Sequence, residues 1–392
     1  ALAPWATPWV AALRSESQSL SSQKPYDNVI HVIGDTHGDR NFLVRSLLST
    51  SRFEVHEQYN FSGGKRDWHI EWKENPFLFD GEDWVVVILG DLIDRGTHSF
   101  ENLKLVWKLA KHRKWGERLA VVMGNHEDMF LRFNFEYAGK GWSDQARRDL
   151  FFADGDGDDA RLRRWLMKLP IVVTMNGVML MHAGMEKWIA EAMMPPDSFK
   201  DCNGDDDSLE TCRLAWVGAI NAQETSNLRK TRKCVLRHCG SVKRSMLSTS
   251  FCNYPCRSLR PAWLKSLLWY RGFSRQLDGA GTEASCIEAA EVSNFFGVHA
   301  FVLAHTTHKM ITTYCSDLVP IYVTDTHRSD CIKNDECDFD PEAVFHRGKI
   351  DPQMHNVPQS LWLTQSDGER TALRCLVELD KGEVQLDCKA MA

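Results

Sequence analysis

No cysteine occurs before Cys202, although the chain of 392 residues holds 12. The first half therefore has no thiol to serve as nucleophile, metal ligand or redox centre. No apolar run approaches the ~20 residues of a membrane-spanning helix. A basic surplus is missing too: the net charge is −6 and the pI about 6.2, which argues against general nucleic-acid binding. Hydrophobic residues at 43% and charged residues at 26% are ordinary for a soluble globular protein. A chain this long buries a large core, in one big domain or two. A start at Ala1 rather than Met fits either a mature form after signal removal or a trimmed chain.

All the thiols lie in the second half: Cys202, Cys212, Cys234, Cys239, Cys252, Cys256, Cys286, Cys315, Cys331, Cys337, Cys375 and Cys388. An even number concentrated in one insertion and a tail reads first as disulfides, and so as an oxidising compartment: secreted, an endomembrane lumen or the mitochondrial intermembrane space, with the cytosol as the alternative. The second reading is zinc held by Cys234, Cys239, Cys252 and Cys256, whose spacings are loose for that ion. The third is free thiols. Connectivity does not follow from sequence.

What is present is sharper. Three apolar β-type runs each end in a block of Gly and potential metal ligands. His31-Val32-Ile33 leads into Gly34-Asp35-Thr36-His37-Gly38. Trp84 to Leu89 leads into Gly90-Asp91-Leu92-Ile93-Asp94-Arg95-Gly96, and Leu119 to Met123 into Gly124-Asn125-His126-Glu127. Asp, His and Asn are the donors that hold hard and borderline divalent ions, and the glycines let the backbone turn sharply beside them. A single such residue is most often a turn aspartate or a satisfied buried histidine; several in order at strand ends are not.

These blocks, in this order, resemble the calcineurin-like metallophosphoesterases, and within them the phosphoprotein phosphatase family. Val178 to Gly184, containing His182, is similar to the family's strand-then-His block, and Phe301 to His305 to its last metal histidine. Leu267 to Phe273 resembles the Trp-Tyr-Arg-Gly element of the Shewanella-like protein phosphatases, a bacterial-type branch close to the diadenosine tetraphosphatases. The likeness runs with interruptions from about His31 to Asp325.

The resemblance implies an α/β layered fold: a central β-sandwich flanked by helices, with a dinuclear metal centre at one edge and a Cys-rich insertion over or near it. It implies that Asp35 and His37 hold the first metal, that Asp91 bridges both, and that Asn125, His182 and His305 complete the second. His126 would be the general acid, oriented by Asp94. Arg95 and Arg271 would clamp phosphate oxygens, with Asn125 also touching substrate; a guanidinium fork suits that task. Glu127 is expected beside the ligands rather than among them, and His308, three residues after His305, is not expected to bind metal. The cofactors implied are two divalent ions, drawn from Mn²⁺, Fe and Zn²⁺. A pair of such ions neutralises phosphate charge and supplies a hydroxide nucleophile at neutral pH.

The expected organisation is an N-terminal arm over 1–27, the core in two parts over 28–200 and 266–330, a Cys-rich basic insertion over 201–265, and a C-terminal extension over 331–392. Helices are expected over Asn41 to Ser49, Phe100 to Arg113, Asp128 to Tyr137 and Arg161 to Pro170, from apolar spacing and stop signals. The run Asp154 to Asp159 reads as a solvated acidic loop; as a calcium loop it lacks the required Gly and Glu. The insertion shows little period and carries Arg229, Lys230, Arg232, Lys233, Arg237, Lys243 and Arg244, a charged face or a landing site for an acidic partner. Leu373 to Leu386 reads as two strands about a Gly-containing turn.

The function expected is that of a metal-dependent phosphomonoesterase acting on phosphorylated proteins at Ser/Thr, with Tyr as a further class. The alternative is a hydrolase of dinucleotide polyphosphates or mRNA caps. A cysteine-nucleophile phosphatase is disfavoured, since no Cys stands at the required five-residue spacing from an Arg. Several positions depart from the main eukaryotic Ser/Thr enzymes: Met123 replaces Arg, Ala183 replaces Gly, and Leu303 replaces Arg. The departures bear on substrate preference rather than on metal chemistry.

Overall fold

The computed structural model describes residues 28–60, 65–76, 83–139, 142–192, 206–239, 254–326, 359–366, 369–380 and 383–391. The expected arm over 1–27, with Trp5 and Trp9, lies outside the described residues, as do Lys243, Arg244, Cys202, Cys252, Cys331 and Cys337.

Two sheets form the centre. The first contains β1 (Asn28–Ile33), β4 (Asp83–Ile88), β5 (Leu119–Val121), β11 (Gln359–Ser366), β12 (Glu369–Asp380) and β13 (Glu383–Ala390), in the order β13-β12-β11-β1-β4-β5. The second contains β6 (Val172–Met175), β7 (Val178–Met181), β8 (Ala300–Leu303), β9 (Thr312–Tyr314) and β10 (Ile321–Val323), in the order β6-β7-β8-β10-β9. The strands β1, β4 and β5 run parallel, as do β7, β8 and β10. A separate hairpin joins β2 (Phe53–Asn60) to β3 (Lys65–Trp72).

The strands read as continuous apolar runs because both their faces are buried. Side chains alternate between two clusters. Ile30, Val32, Val87, Leu89, Val178, Leu180, Ala300 and Val302 meet between the sheets. Val29, Ile33, Val86, Ile88, Met179, Met181, Phe301 and Leu303 face the larger cluster beneath the helices. This is the expected sandwich, with the α/β layering that the sequence indicated.

The helices outside it are α1 (Arg40–Leu48), α2 (Ser99–Ala110), α3 (Asn125–Leu131), α4 (Asp144–Phe152), α5 (Asp158–Leu166), α6 (Lys187–Ala192), α7 (Asp206–Cys239), α8 (Ala262–Trp269) and α9 (Glu283–Phe296). The third expected helix, Asp128 to Tyr137, is misplaced: α3 begins at Asn125, inside the ligand block, and ends at Leu131. Phe133 then turns the chain with φ near +60°, and its ring packs on Phe135 and Phe151. The helix expected up to Pro170 ends earlier, at Leu166, and begins within the acidic run at Asp158.

The stretch that shows little period in sequence holds the longest helix, α7, of 34 residues. Its buried face is Val217, Ile220, Glu224, Leu228, Thr231 and Val235, a helical spacing of three and four. Two of these positions are polar, which breaks the apolar period and hides the helix. The bond Cys234–Cys256 ties α7 to the following 3-10 segment Tyr254–Leu259, and Cys286–Cys315 ties α9 to the end of β9. Disulfides are therefore present, and Cys234 and Cys256 are not available as zinc thiolates.

At the C-terminal end, β12 and β13 pair antiparallel across residues 381–382. With β11 they extend the first sheet from β1, so these strands share the core of the catalytic half.

Candidate metal centre

The C-terminal ends of five strands converge on one edge of the sandwich. Asp35 and His37 follow β1, Asp91 follows β4, Asn125 follows β5, His182 follows β7 and His305 follows β8. None of the six is more than 6% exposed. The glycines shape this edge. Gly90 has φ near +93°, and a Cβ on Gly124 would stand 2.2 Å from Asp91 Oδ1. Only a residue without a side chain lets the second block approach the third so closely.

Two clusters of donor atoms result. His37, Asp91 and His126 form one, and Asp91, His182 and His305 form the other; within each, the donor atoms lie within 4.8 Å of one another. Asp91 is common to both. His37 Nε2 stands 3.6 Å from Asp35 Oδ2 and 3.7 Å from Asp91 Oδ2. His182 Nε2 is 3.3 Å from Asp91 Oδ2, 2.8 Å from Asn125 Oδ1 and 3.1 Å from His305 Nδ1. The other nitrogen of His182 lies 2.8 Å from the Leu89 carbonyl, which orients the ring.

The donor set suits divalent cations. Burial, with Asp325 and Asp91 nearby, holds the Asp35 carboxyl well above the usual carboxylate range. Burial pushes Asp91 the same way, but His182, His126 and His37 outweigh it and hold that carboxyl well below its usual range. Burial and the neighbouring His182 keep His305 well below the ordinary imidazole value, hence neutral with a lone pair to donate. Its Nε2 is buried without a hydrogen-bond partner among the described residues. Crowded carboxylates and an orphaned imidazole nitrogen are what a dication relieves.

His126 differs from the other histidines. Its Nδ1 stands 2.8 Å from Asp94 Oδ2, its backbone N–H donates to Asp91 Oδ1 at 3.0 Å, and its Nε2 lies 3.8 Å from Asp91 Oδ2. Burial lowers its pKa, but Asp91 and Asp94 outweigh burial and raise it, favouring the protonated ring. Glu127 accepts from the N–H groups of Asp91, Leu92 and Gly124 at 2.8, 2.9 and 3.0 Å. Both its oxygens are thereby occupied in fixing the Asp91 loop. Burial and Asp91 push its carboxyl up to about 7.

Arg95 is half-buried beside these groups, and its guanidinium makes no ion pair among the described residues. Its backbone N–H donates to the Tyr137 carbonyl at 3.0 Å. Arg271 approaches from the other side, donating from Nη1 to the His305 carbonyl and Thr306 Oγ1, both at 3.0 Å. Trp269 packs edge-on to His305, with ring centres 5.7 Å apart. His308 turns away, with Nε2 2.7 Å from the Ser274 carbonyl.

Two residues here went unnoticed in the sequence. Asp325, buried just after β10, faces Asp35; its position at a strand end was the available signal. Tyr137, 45% exposed, sets its ring 5.5 Å from that of His126, and nothing local in the sequence marks it.

Residues 29–213 match the family model of the calcineurin-like phosphoesterases. No curated protein matches the chain. Among solved structures, a cold-active protein-tyrosine phosphatase of the psychrophile Shewanella sp. is 17% identical, covers 93% of this chain and 83% of its own, and has a TM-score of 0.48. A protein serine/threonine phosphatase from Saccharomyces cerevisiae, similar to human phosphatase PP5, is 14% identical over 98% of this chain and 90% of its own, with a TM-score of 0.41. The family model carries the assignment rather than these neighbours. Its stretch contains the blocks of Asp35, Asp91, Asn125 and His182: residues 29–213 are a calcineurin-like phosphoesterase domain, and the protein is a hydrolase of phosphoester bonds.

Proposed function

We propose that this metallophosphoesterase is a protein phosphatase acting on phospho-Ser/Thr, with phospho-Tyr as a further substrate class. In this reading Asp35, His37 and Asp91 hold one divalent ion, and Asp91, Asn125, His182 and His305 the other, Mn²⁺, Fe or Zn²⁺ being compatible with the N/O donors. When bound, the ions neutralise phosphate charge and activate the nucleophile. The chain's own residues do the rest. Arg95 and Arg271 fork onto the phosphate oxygens. His126 gives its proton to the departing oxygen, and Asp94 keeps the ring aimed.

The observation that carries this reading is the Asp94–His126 pair at 2.8 Å, beside the shared Asp91 carboxylate. His126 can be read instead as a ligand, because it falls in one donor cluster. The Asp94 carboxylate at 2.8 Å from Nδ1 favours the acid, since it steadies a protonated ring. The two disulfides agree with an oxidising compartment, where protein substrates outnumber caps.

The exposed Tyr137 ring beside His126 supports a second reading, hydrolysis of dinucleotide polyphosphates or caps, with a base stacked on that ring. Turnover with Mn²⁺ separates the two. Phospho-Ser/Thr and phospho-Tyr peptides are set against diadenosine tetraphosphate and capped RNA, with Asp91→Asn as the blank. Faster turnover of peptides is expected; faster turnover of the nucleotides would replace the first reading by the second.

A further inference from the structure

A buried polar cluster lies behind the site, and the phosphoester chemistry does not use it. Asp128 belongs to α3, the helix that also carries Asn125, His126 and Glu127. It is fully buried. Arg132, one turn on, donates from Nε to Asp128 Oδ1 at 2.6 Å, from Nη2 to Glu224 Oε1 at 2.8 Å and from Nη1 to Thr231 Oγ1 at 3.2 Å. Arg260 Nη2 stands 2.9 Å from Asp128 Oδ2. Glu224 and Thr231 are on α7, and Arg260 directly follows the segment that Cys234–Cys256 ties to α7. Glu224, Thr231 and Arg260 all lie beyond the stretch matching the family model, which ends at residue 213.

Two carboxyl groups and two guanidiniums buried together are costly unless each finds a partner, and truncating one leaves its partners unsatisfied. Such a cluster adds little net stability over an apolar replacement, but it fixes geometry. What it fixes is α3. Glu127 holds this helix to the Asp91 loop, and Arg132, itself fixed by Asp128, holds its end to α7. The helix has seven residues and few internal bonds to keep its own course.

We infer that Glu224 and Arg132 are positioning residues: Glu224 on the insertion helix α7 holds Arg132 at the end of α3, braces that helix, and so aims His126 at the leaving oxygen. The inference rests on the reading of His126 as general acid. Beyond its disulfide bond, the insertion then has a part in catalysis without touching substrate. The shape of the cluster, not its charge, performs the bracing, so an amide at position 224 serves as well as a carboxyl.

The test is leaving-group dependence. A working acid makes turnover nearly indifferent to the leaving group, whereas a misaimed acid penalises poor ones. Wild type, Glu224→Ala, Glu224→Gln and His126→Asn are assayed on phenyl phosphate and on p-nitrophenyl phosphate, whose leaving group is far better. Glu224→Ala is expected to lower kcat roughly 10-fold or more on phenyl phosphate but only about threefold on p-nitrophenyl phosphate, with KM within about twofold. Glu224→Gln is expected to restore both rates. Equal losses on the two substrates, or none, in a folded Glu224→Ala protein would overturn the brace, provided His126→Asn shows the steep dependence. If His126→Asn shows no such dependence, the acid reading fails and the brace falls with it. Should Glu224→Ala not fold, Thr231→Val, which loses only the 3.2 Å bond, is expected to shift the same ratio in the same direction, and an unchanged ratio there counts against the brace.

Discussion

Five site residues, His37, Asp91, Asp94, Arg95 and His305, have positive φ between +43° and +69°. Side-chain-bearing residues avoid that region, at a cost of order 1 kcal/mol or more each, unless the surroundings dictate it. Here the surroundings do: Glu127 takes the Asp91 and Leu92 amides, and the Asp91 carbonyl accepts from the amides of Thr36 and His37 at 3.1 and 2.7 Å. The strain turns donors inward that an extended strand end would splay apart. Asp91 is the residue on which both donor clusters depend, so its charge can be tested directly. Asp91→Asn is expected to cut Mn²⁺-dependent turnover on the order of 10³-fold, several kcal/mol of lost transition-state stabilisation. The metal-free protein is expected to stay folded but with a lower Tm, because the change removes the charge that His182, His126 and His37 stabilise. The rise in Tm that Mn²⁺ gives the wild type should be smaller in the variant. Near-normal turnover would refute the shared-ligand assignment. At this scale the sequence was informative, because ligand types and glycines stand in contiguous blocks. Asp325 and Tyr137 escaped since each is a lone residue whose partner is far away in the chain.

At the scale of elements, legibility followed burial. β1, β4, β7 and β8 announced themselves as apolar runs because both faces of each strand meet a core. The start of α3 was missed because its first turn is the ligand block itself, whose polar residues carry no apolar period. The length of α7 was missed for a related reason: Glu224 and Thr231 occupy inward positions that a periodic pattern reserves for apolar residues. The junction between β5 and α3 is the tightest joint in the site. A methyl group on Gly124 would meet Asp91 Oδ1 at 2.2 Å, Asp91 N at 2.4 Å and Glu127 Oε2 at 2.9 Å, so the Asp91 loop must move. Gly124→Ala is therefore expected to destabilise the fold by about 1–3 kcal/mol. It should also lower metal affinity, visible as a higher Mn²⁺ concentration for half-maximal turnover. A variant with wild-type Mn²⁺ dependence would show that this contact is not what positions Asp91.

On the scale of the whole molecule, two covalent ties close loops within the second half of the chain. Cys234–Cys256 and Cys286–Cys315 close loops of 22 and 29 residues in sequence separation. Loop-closure entropy makes each worth about 3–4 kcal/mol. Reduction by a dithiol is accordingly expected to lower Tm well below that of the oxidised protein, and an unchanged Tm would mean that these bonds constrain little. Which cysteines pair was not legible, since pairing depends on where α7 and α9 dock.

The buried cluster between α3 and α7 gives stability a pH dependence of definite sign. Burial outweighs the attraction of Arg132, and the Asp128 carboxylate adds repulsion, so Glu224 is pushed from its ordinary 4.5 up to about 8. Arg132, Asp128, Arg260 and Thr231 are the groups that face it. Between those two pH values the folded chain keeps a proton that the unfolded chain has released, so stability falls as pH rises from about 4.5 to about 8. Glu127, pushed up to about 7, acts in the same direction over the lower part of that window. Glu224→Gln removes the first contribution and leaves the second. Its Tm is expected to fall less steeply than that of the wild type, with the difference between the proteins growing steadily from about pH 4.5 to about 8, since Glu127 contributes equally to both. Parallel Tm curves through pH 8 would mean that Glu224 keeps its charge in the folded protein, held by Arg132 and Arg260 more firmly than burial opposes it.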